Sequence, residues 1–560
     1  METIRDAVDR APDENCPVRS LGYAAGDGSK TYYYLSPGGA LARLNHREHA
    51  NTGLLSLFDG DMEWLRKTFP RFDKEGEVVG FKQQDAAAWL MRASTRSGFF
   101  DPDRQLRGPG AWRDDDGRLL LHCGDQIRLP DGAWLDAGCR IGNHIYPASV
   151  PEPRPARKPA AQDDVRDLLE LLETWNWRKP ETDPRLYLGW LGAAMVVGAL
   201  RWRPHIWVTG DRGSGKTTLE QLSDALLGSS VYRASDPSAA GIRQALAGAA
   251  RPVALDEIEV SSDGTVGRAR DVVALARLGS TDGQGAVVRG SADGKAQSYY
   301  IRACFYFSSI LTVPLLPQDL TRICVLNLDP LQKIEGAAAR MREGLKRCGA
   351  LGAGMRARMV RGWDRLQEAL VVYDGALQDL GHGARQADQL GVLLACAHVL
   401  LNDEKATAAE AASIVGGFKP GEVLDRDEDA DHVQCLMHLF SRSAEAWSSG
   451  RKRTIGELIN EAREHADAAR ALRAYGLALQ TGADHRPRLA IANQHDSLRE
   501  IFAGTRWAQG VWRQSLERVP GREIPNKVVN FAGARSRAVY VGLEWVGAAD
   551  EQEVDLDAVT

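Results

Sequence analysis

The chain lacks the features that mark several unusual classes of protein. Its eight cysteines are scattered, so no pair has the close spacing of a zinc ribbon, and nothing indicates a disulfide framework. The longest apolar stretch, Tyr187 to Leu200, is shorter than the roughly 20 residues of a membrane-spanning helix, and the N-terminus has no apolar signal segment. A net charge of -5 excludes a strongly basic nucleic-acid coat protein. We therefore expect a cytoplasmic protein with reduced thiols and no membrane partner.

The length of 560 residues indicates several domains. Residues 146–161 repeat proline and lose all apolar periodicity, which is typical of a linker. Helical spacing predicts, among others, a helix over Ala468 to Leu479. We expect a multi-domain α/β protein with these segments: a mixed α+β domain of unknown role (1–145), the linker (146–161), an α/β core with a parallel sheet (162–330), a helical domain (331–450), a winged-helix-like domain that binds DNA or a partner (451–545) and an acidic tail (546–560).

The string HIWVTGDRGSGKTTLEQL places a glycine-rich turn between an apolar strand and a helix start, and it matches the pattern GxxxxGK[ST]. The glycines let backbone N–H groups close around phosphates, and the helix N-terminus adds its positive dipole end. Lys216 supplies a charge to the β and γ phosphates, and the Thr217 hydroxyl is a ligand for Mg²⁺. The flanking strand and helix argue against a chance match. We predict that ATP contacts these residues: Gly210, Asp211, Arg212, Gly213, Ser214, Gly215, Lys216, Thr217 and Thr218.

An acidic pair follows the next apolar strand, where Pro252 to Leu255 leads into Asp256 and Glu257. Asp256 would hold Mg²⁺ through its water shell, and Glu257 would orient and deprotonate the attacking water. A surface acidic pair at a strand end is the alternative. A small-molecule kinase is the rival use of the phosphate loop, and it has less need of the second carboxylate because its nucleophile is a substrate hydroxyl.

A third apolar strand, Ala303 to Phe307, ends at Ser308 and Ser309, and Arg322 follows shortly after. A serine at that strand end could touch the γ-phosphate or the attacking water. Arg322 has the position of an arginine finger that reaches the ATP of a neighbouring subunit. The alternative for this arginine is an ordinary salt bridge to Asp319.

Residues 286–302 predict a β-hairpin between the acidic strand and the third strand, because Asp293-Gly294 is a tight-turn signal between two strand-like runs. Lys295 lies at its tip and Arg289 on one arm. A basic tip could grip a nucleic-acid backbone. A surface hairpin whose lysine aids solubility is the alternative.

This order of motifs resembles superfamily 3 helicases of the AAA+ class, and more closely the helicase half of phage- and prophage-encoded primase–helicases. The resemblance covers about residues 165–330. It implies an ATP-driven, Mg²⁺-dependent DNA helicase or translocase for replication of a phage or mobile element. It also implies a homo-hexameric ring that moves single-stranded DNA through its pore. The implied roles are hydrolysis for Lys216, Thr217, Asp256 and Glu257, sensing for Ser308 or Ser309, a finger in trans for Arg322, and DNA contact for Arg289 and Lys295.

Two departures and one rival function stay open. The sensor of the resembled family is usually asparagine, and serine stands here. The N-terminal part does not clearly carry the clustered carboxylates of a primase. Neither the pair Asp59 and Asp61 nor the acidic turn 114–116 sits at the end of a strand with a third carboxylate nearby. The rival is a regulatory AAA+ switch ATPase, of initiator or defence type, that assembles on DNA or a protein without unwinding.

The C-terminal part mixes basic and aromatic residues and could form a second DNA surface. Buried tryptophans on a solvated domain are the alternative. The residues concerned are Arg451, Lys452, Arg453, Arg506, Trp507, Trp512, Arg513, Arg535 and Arg537.

Overall fold

A computed structural model describes most of the chain as two compact units, residues 1–420 and 421–560. The described residues are 15–26, 29–235, 238–246, 248–256, 263–281, 287–290, 296–299, 301–310, 315, 317–331, 337–418, 431–444, 453–505 and 507–547, of which 263–266, 287–290, 296–299, 317 and 337–342 are described by backbone alone. Within these residues, no helix combines the length and the apolar character needed to cross a membrane.

The N-terminal part is mixed α and β, as predicted. Its main sheets are antiparallel, with strand orders β1-β2-β3 and β6-β7-β8-β9. Its helices are α1 (Asn51–Leu57), α2 (Glu63–Thr68), α3 (Gln83–Arg96) and α4 (Pro102–Gln105). Its strands are β1 (Arg19–Gly26), β2 (Ser29–Leu35), β3 (Leu41–Asn45), β4 (Pro70–Phe72), β5 (Val78–Phe81), β6 (Gly110–Arg113), β7 (Leu119–His122), β8 (Gln126–Arg128), β9 (Trp134–Asp136), β10 (Cys139–Ile141) and β11 (His144–Tyr146).

The central part is built on a five-stranded parallel sheet flanked by helices, with strand order β13-β14-β17-β12-β18. Its inner strands are nearly continuous apolar runs, as burial on both faces requires. The strands are β12 (His205–Gly210), β13 (Tyr232–Ser235), β14 (Val253–Asp256), β15 (Val287–Gly290), β16 (Ala296–Tyr299), β17 (Phe305–Ser309) and β18 (Ile323–Leu328). The helices are α5 (Gln162–Glu173), α6 (Asp183–Met195), α7 (Lys216–Leu227), α8 (Ala239–Leu246), α9 (Asp263–Gly279) and α10 (Pro317–Leu320).

Four helices that follow the sheet belong to the same unit. Helix α13 is buried along almost its whole length and contacts α6 closely. At that crossing a Cβ added to Gly189 would lie 2.0 Å from the Leu393 carbonyl oxygen, so only glycine permits the approach. The unit therefore continues to residue 420, where the sequence indicated no boundary. The helices are α11 (Ala337–Arg361), α12 (Trp363–Asp379), α13 (Ala384–Leu401) and α14 (Ala408–Val415).

The proline-rich segment 146–161 is not a loose connection within this unit. Its backbone N–H groups at Ala156 and Ala160 donate to the carbonyls of Ala353 and Gly354 on α11, at 2.9 and 3.1 Å. Apolar periodicity is absent because the segment runs along a helix instead of forming one.

The second unit contains a four-stranded antiparallel sheet, β21-β22-β24-β23. The helix predicted over 468–479 is wrong at its end: Gly476, with a φ of +73°, ends it, and residues 477–481 form a strand. The elements are α15 (Asp431–Phe440), β19 (Ser443–Ala444), β20 (Arg453–Thr454), α16 (Ile455–Glu461), α17 (Ala466–Ala474), β21 (Leu477–Thr481), β22 (Pro487–Ala492), α18 (Asp496–Ile501), α19 (Trp512–Leu516), β23 (Val528–Phe531), β24 (Ala534–Gly542) and α20 (Glu544–Gly547).

The tryptophans of this unit are core residues. Trp507 and Trp512 are 7 % and 1 % exposed. Their indole N–H groups donate to Asp431 at 3.2 Å and to the Ala492 carbonyl at 3.0 Å. Neither ring is therefore placed to stack on a nucleic-acid base, and the alternative of buried tryptophans holds.

Candidate nucleotide-binding site

The phosphate loop joins the carboxyl end of β12 to the amino end of α7. Gly213 and Gly215 have φ values of +85° and +86°, in the left-handed region that favours glycine. Gly215 directly precedes the first turn of α7, and no side chain caps that helix. The first N–H groups of α7 are therefore placed to bind an anion such as phosphate.

The loop is held from outside by residues that are distant in the sequence. Trp175, in the connection after α5, donates its indole N–H to the Gly215 carbonyl at 3.1 Å. The N–H of Leu331, beyond β18, donates to the Gly213 carbonyl at 3.2 Å. Two contacts thus fix the loop at the two glycines whose backbone is left-handed.

The polar groups of the loop fit a phosphate chain with its magnesium ion. The Lys216 ammonium donates to the carbonyls of Gly210 and Asp211, the latter at 3.3 Å, so it lies over the loop. Ser214 is 1 % exposed, and its Oγ has no hydrogen-bond partner within the described part of the chain. Thr217 is exposed in the first turn of α7. The other predicted contacts are exposed or half-buried: Asp211, Arg212, Gly213 and Thr218.

Two polar side chains meet at the carboxyl edge of the parallel sheet. Strand β17 lies between β14 and β12, with Leu255 opposite Phe307 and Val208 opposite Ser308. Asp256 directly follows Leu255, and Ser308 directly follows Phe307. Because Leu255 and Phe307 are paired, Asp256 and Ser308 are neighbours at this edge. The edge is the one at which parallel α/β sheets bind ligands.

The sheet separates the two serines that the sequence could not distinguish. Successive residues of a strand point to opposite faces. The Ser309 hydroxyl accepts a hydrogen bond from the Trp207 indole N–H at 2.7 Å in the core. Ser308 is 1 % exposed, and its Oγ has no partner among the described residues. Ser308 is consequently the better placed of the two for a sensor role, which remains a prediction.

Glu220 belongs to the site and was missed in the sequence. It lies on α7 four residues after Lys216 and is 7 % exposed. Burial raises the pKa of its carboxyl, the nearby Ser308 hydroxyl lowers that pKa, and the Asp256 carboxylate raises it. The Ser308 hydroxyl is near enough to act on this carboxyl, although Glu220 Oε1 and Ser308 Oγ both lack a partner at full hydrogen-bond geometry among the described residues. The i+4 spacing from Lys216 was the available signal, since it places both on one face of a helix.

Arg322 lies in the interior of this subunit. It is 5 % exposed, its guanidinium packs 5.9 Å from the Trp202 ring centroid, and one N–H donates to the Gln318 carbonyl at 2.8 Å. Asp319, the alternative partner from the sequence, forms an ion pair with Arg277 at 2.8 Å. A finger in trans remains a prediction, and it requires the guanidinium to leave this packing.

The predicted hairpin is present in the backbone. Strands β15 and β16 are antiparallel, with Arg289 opposite Gln297. Lys295 and Glu257 lie outside the described residues, so their roles stay predictions.

The acidic residues considered for primase chemistry serve local structure. Asp59 and Asp61 accept hydrogen bonds from backbone N–H groups at 2.6 and 2.9 Å. Asp114 pairs with Arg118 at 2.9 Å. Across the described ranges, no group of three or more His, Cys, Asp or Glu side chains is arranged to hold a metal ion.

Comparison with known proteins gives structural likenesses alone. No protein-family model and no curated protein matches the chain. A solved structure titled "SCCmec type IV Cch - active helicase" is 11 % identical, with 95 % of each chain covered and a TM-score of 0.47. The apo C-terminal region of NrS-1 (305-718) is 13 % identical, covering 94 % of this chain and 96 % of that one, with a TM-score of 0.34. A second NrS-1 structure, the A form of that region, is 12 % identical, covering 75 % and 92 %, with a TM-score of 0.31.

Proposed function

We propose that this protein is an ATP-driven DNA helicase or translocase that acts in the cytoplasm, in replication of a phage or mobile element. The observation that supports this best is the phosphate loop beside Asp256 and Ser308 at neighbouring strand ends. Six copies would form a ring, with ATP between subunits and single-stranded DNA in the pore.

Each residue of the site has a chemical task in this proposal. The loop N–H groups and Lys216 would bind the phosphates, while Thr217 and, through water, Asp256 would hold Mg²⁺. The ion would neutralise charge that develops on the phosphates during hydrolysis. Glu257 would take a proton from the attacking water, and Ser308 would hydrogen-bond that water or the γ-phosphate.

The hairpin is what separates a motor from a nucleotide switch. Its backbone lies in sequence between β14 and β17, the strands that carry Asp256 and Ser308. A hairpin tip that grips DNA at this point could transmit movement between the DNA strand and the site of ATP hydrolysis. A regulatory switch ATPase would use the same phosphate loop without that coupling.

The test is ATP hydrolysis with and without single-stranded DNA, measured on the native chain and on Lys295→Ala. Lys346→Ala is the matched control, because that lysine is 75 % exposed on α11. Lys216→Ala should abolish hydrolysis in both conditions. DNA stimulation that Lys295→Ala removes and Lys346→Ala keeps supports the motor. If DNA does not change the rate of ATP hydrolysis in the native chain or in any variant, the motor is refuted and the switch ATPase is left.

The ring is tested separately by mass in solution with nucleotide. A strict monomer that hydrolyses ATP at the full rate would refute the assembly, and with it the finger in trans.

A further inference from the structure

We propose that a second contact for a single-stranded nucleic-acid backbone lies in a groove lined by Arg128, Trp134, Arg157 and Arg361, here called the arginine groove. This deepens the proposed function, on which the choice of a nucleic-acid ligand rests. The groove is formed within the first unit by elements other than the phosphate loop and the hairpin.

The four side chains converge from three parts of the chain. Arg128 ends β8 and Trp134 begins β9, while Arg157 belongs to the proline-rich segment and Arg361 ends α11. The groove has a volume of about 540 Å³, which is in the range of roughly 300–1,000 Å³ for sites that hold small ligands or their equivalents. One nucleotide unit, with its phosphate, is therefore a reasonable occupant of the groove.

The positive charge of the groove is only partly compensated by the protein. Within the described residues, none of its three guanidinium groups has a carboxylate at ion-pair distance. The one carboxylate in the lining, Asp131, accepts the backbone N–H of Ala133 at 2.9 Å. Burial and then the nearby Arg361 lower the pKa of Arg128, as expected for like charges held together, while the Asp131 carboxylate raises it. An anionic ligand would relieve this repulsion.

A purely structural role explains only part of this arrangement. Arg361 donates one N–H to the Arg157 carbonyl at 2.5 Å, which ties the proline-rich segment to α11. A guanidinium carries five N–H donors in a planar fork, and Arg128 has one long bond, to the Leu129 carbonyl at 3.5 Å. Most donors thus remain for a ligand with several acceptor oxygens, and phosphodiesters match that fork.

The tryptophan indicates a nucleic acid as the ligand. Trp134 is 37 % exposed, and the Arg154 guanidinium stacks on it at 5.4 Å from the ring centroid. Basic groups that follow a backbone beside an aromatic ring on which a base can stack are the pattern of single-strand binding. A free phosphate would use the arginines and gain nothing from the ring.

The experiment measures binding of fluorescent dT25 to the full chain by anisotropy, between 50 and 200 mM salt. Each phosphate contact contributes about 0.7 to the salt slope for single strands. The double variant Arg128→Gln with Arg361→Gln removes two phosphate contacts. When the salt rises from 50 to 200 mM, the affinity of the native chain should therefore fall about sevenfold more than the affinity of this variant. Trp134→Ala should weaken dT25 binding at least about fivefold and affect a duplex less.

The controls distinguish an effect of the groove from a loss of positive charge elsewhere on the unit and from a failure to fold. Arg104→Gln with Arg166→Gln removes two exposed arginines from the same unit, at 76 % and 52 % exposure. Arg128→Lys with Arg361→Lys keeps both charges and should keep the salt slope. Unfolding midpoints of all variants identify any that fail to fold.

The groove is refuted if the glutamine pair matches the Arg104 and Arg166 control in affinity and salt slope, or if the native chain does not bind dT25. If duplex binds as tightly as dT25 and Trp134→Ala does not change the affinity for dT25, the assignment to single strands is also refuted. Hydrolysis that ignores DNA while the groove variants lose dT25 affinity would defeat the motor and leave the groove standing. If Lys295→Ala loses DNA stimulation while the groove variants bind dT25 like the native chain, the motor stands and the groove is refuted.

Discussion

Alanine at Gly215 and at Gly213 should have different consequences, although both glycines have the same left-handed backbone. Their φ values are +86° and +85°, so each substitution should cost about 1–2 kcal/mol in backbone strain. At Gly213 an added Cβ meets nothing within 4 Å. At Gly215 it would lie 2.8 Å from Trp175 Nε1 and 2.9 Å from Leu331 Cδ1.

The additional effect at Gly215 follows from the displacement of Trp175. This side chain is 3 % exposed and must move, which breaks its 3.1 Å hydrogen bond to the Gly215 carbonyl. Leaving a buried N–H without an acceptor costs about 1–3 kcal/mol. Gly215→Ala should therefore lower the free energy of unfolding by about 1–3 kcal/mol more than Gly213→Ala.

The assay is denaturant unfolding without nucleotide, followed by the affinity for a fluorescent ADP analogue. Affinity should fall at least about tenfold more for Gly215→Ala, because the shifted loop no longer directs its N–H groups at the phosphates. Trp175→Phe in the Gly215→Ala background should recover part of the loss. Equal stability of the two alanine variants, within about 0.5 kcal/mol, would refute the role of Trp175 in holding the loop.

Three further outcomes follow from the structure and the proposed chemistry. Glu220→Gln should stabilise the protein at pH 7, because a folded pKa above the unfolded value means that the carboxylate form destabilises the fold. This gain should shrink as the pH falls toward 4, which denaturant unfolding at several pH values would measure. Burial lowers the pKa of His205 to about 3, so stability should fall as the pH drops below about 6.5, by about 2 kcal/mol at pH 5, and unfolding of His205→Gln should depend less on pH. Removal of Mg²⁺ by EDTA should abolish hydrolysis, and Mg²⁺ alone should restore it.

The local parts of the site were predictable from the sequence. The phosphate loop, the strand before it and the helix after it lie where the pattern placed them, because turn, strand and helix signals act within a few residues. The same holds for the strand that ends at Asp256 and for the backbone of the hairpin. The helix over 468–479 failed because Gly476 interrupts a periodicity that otherwise continues.

The sequence by itself determined the position and local form of the loop that we predict to bind phosphate, and the tertiary structure decided which other side chains lie near it. The sheet register selects Ser308 over Ser309, since the two faces of one strand have different neighbours. Packing brings Glu220 near Ser308 and within the electrostatic influence of Asp256, and it buries Arg322 against Trp202. These outcomes depend on contacts between residues tens to hundreds of positions apart, and no local pattern records such contacts.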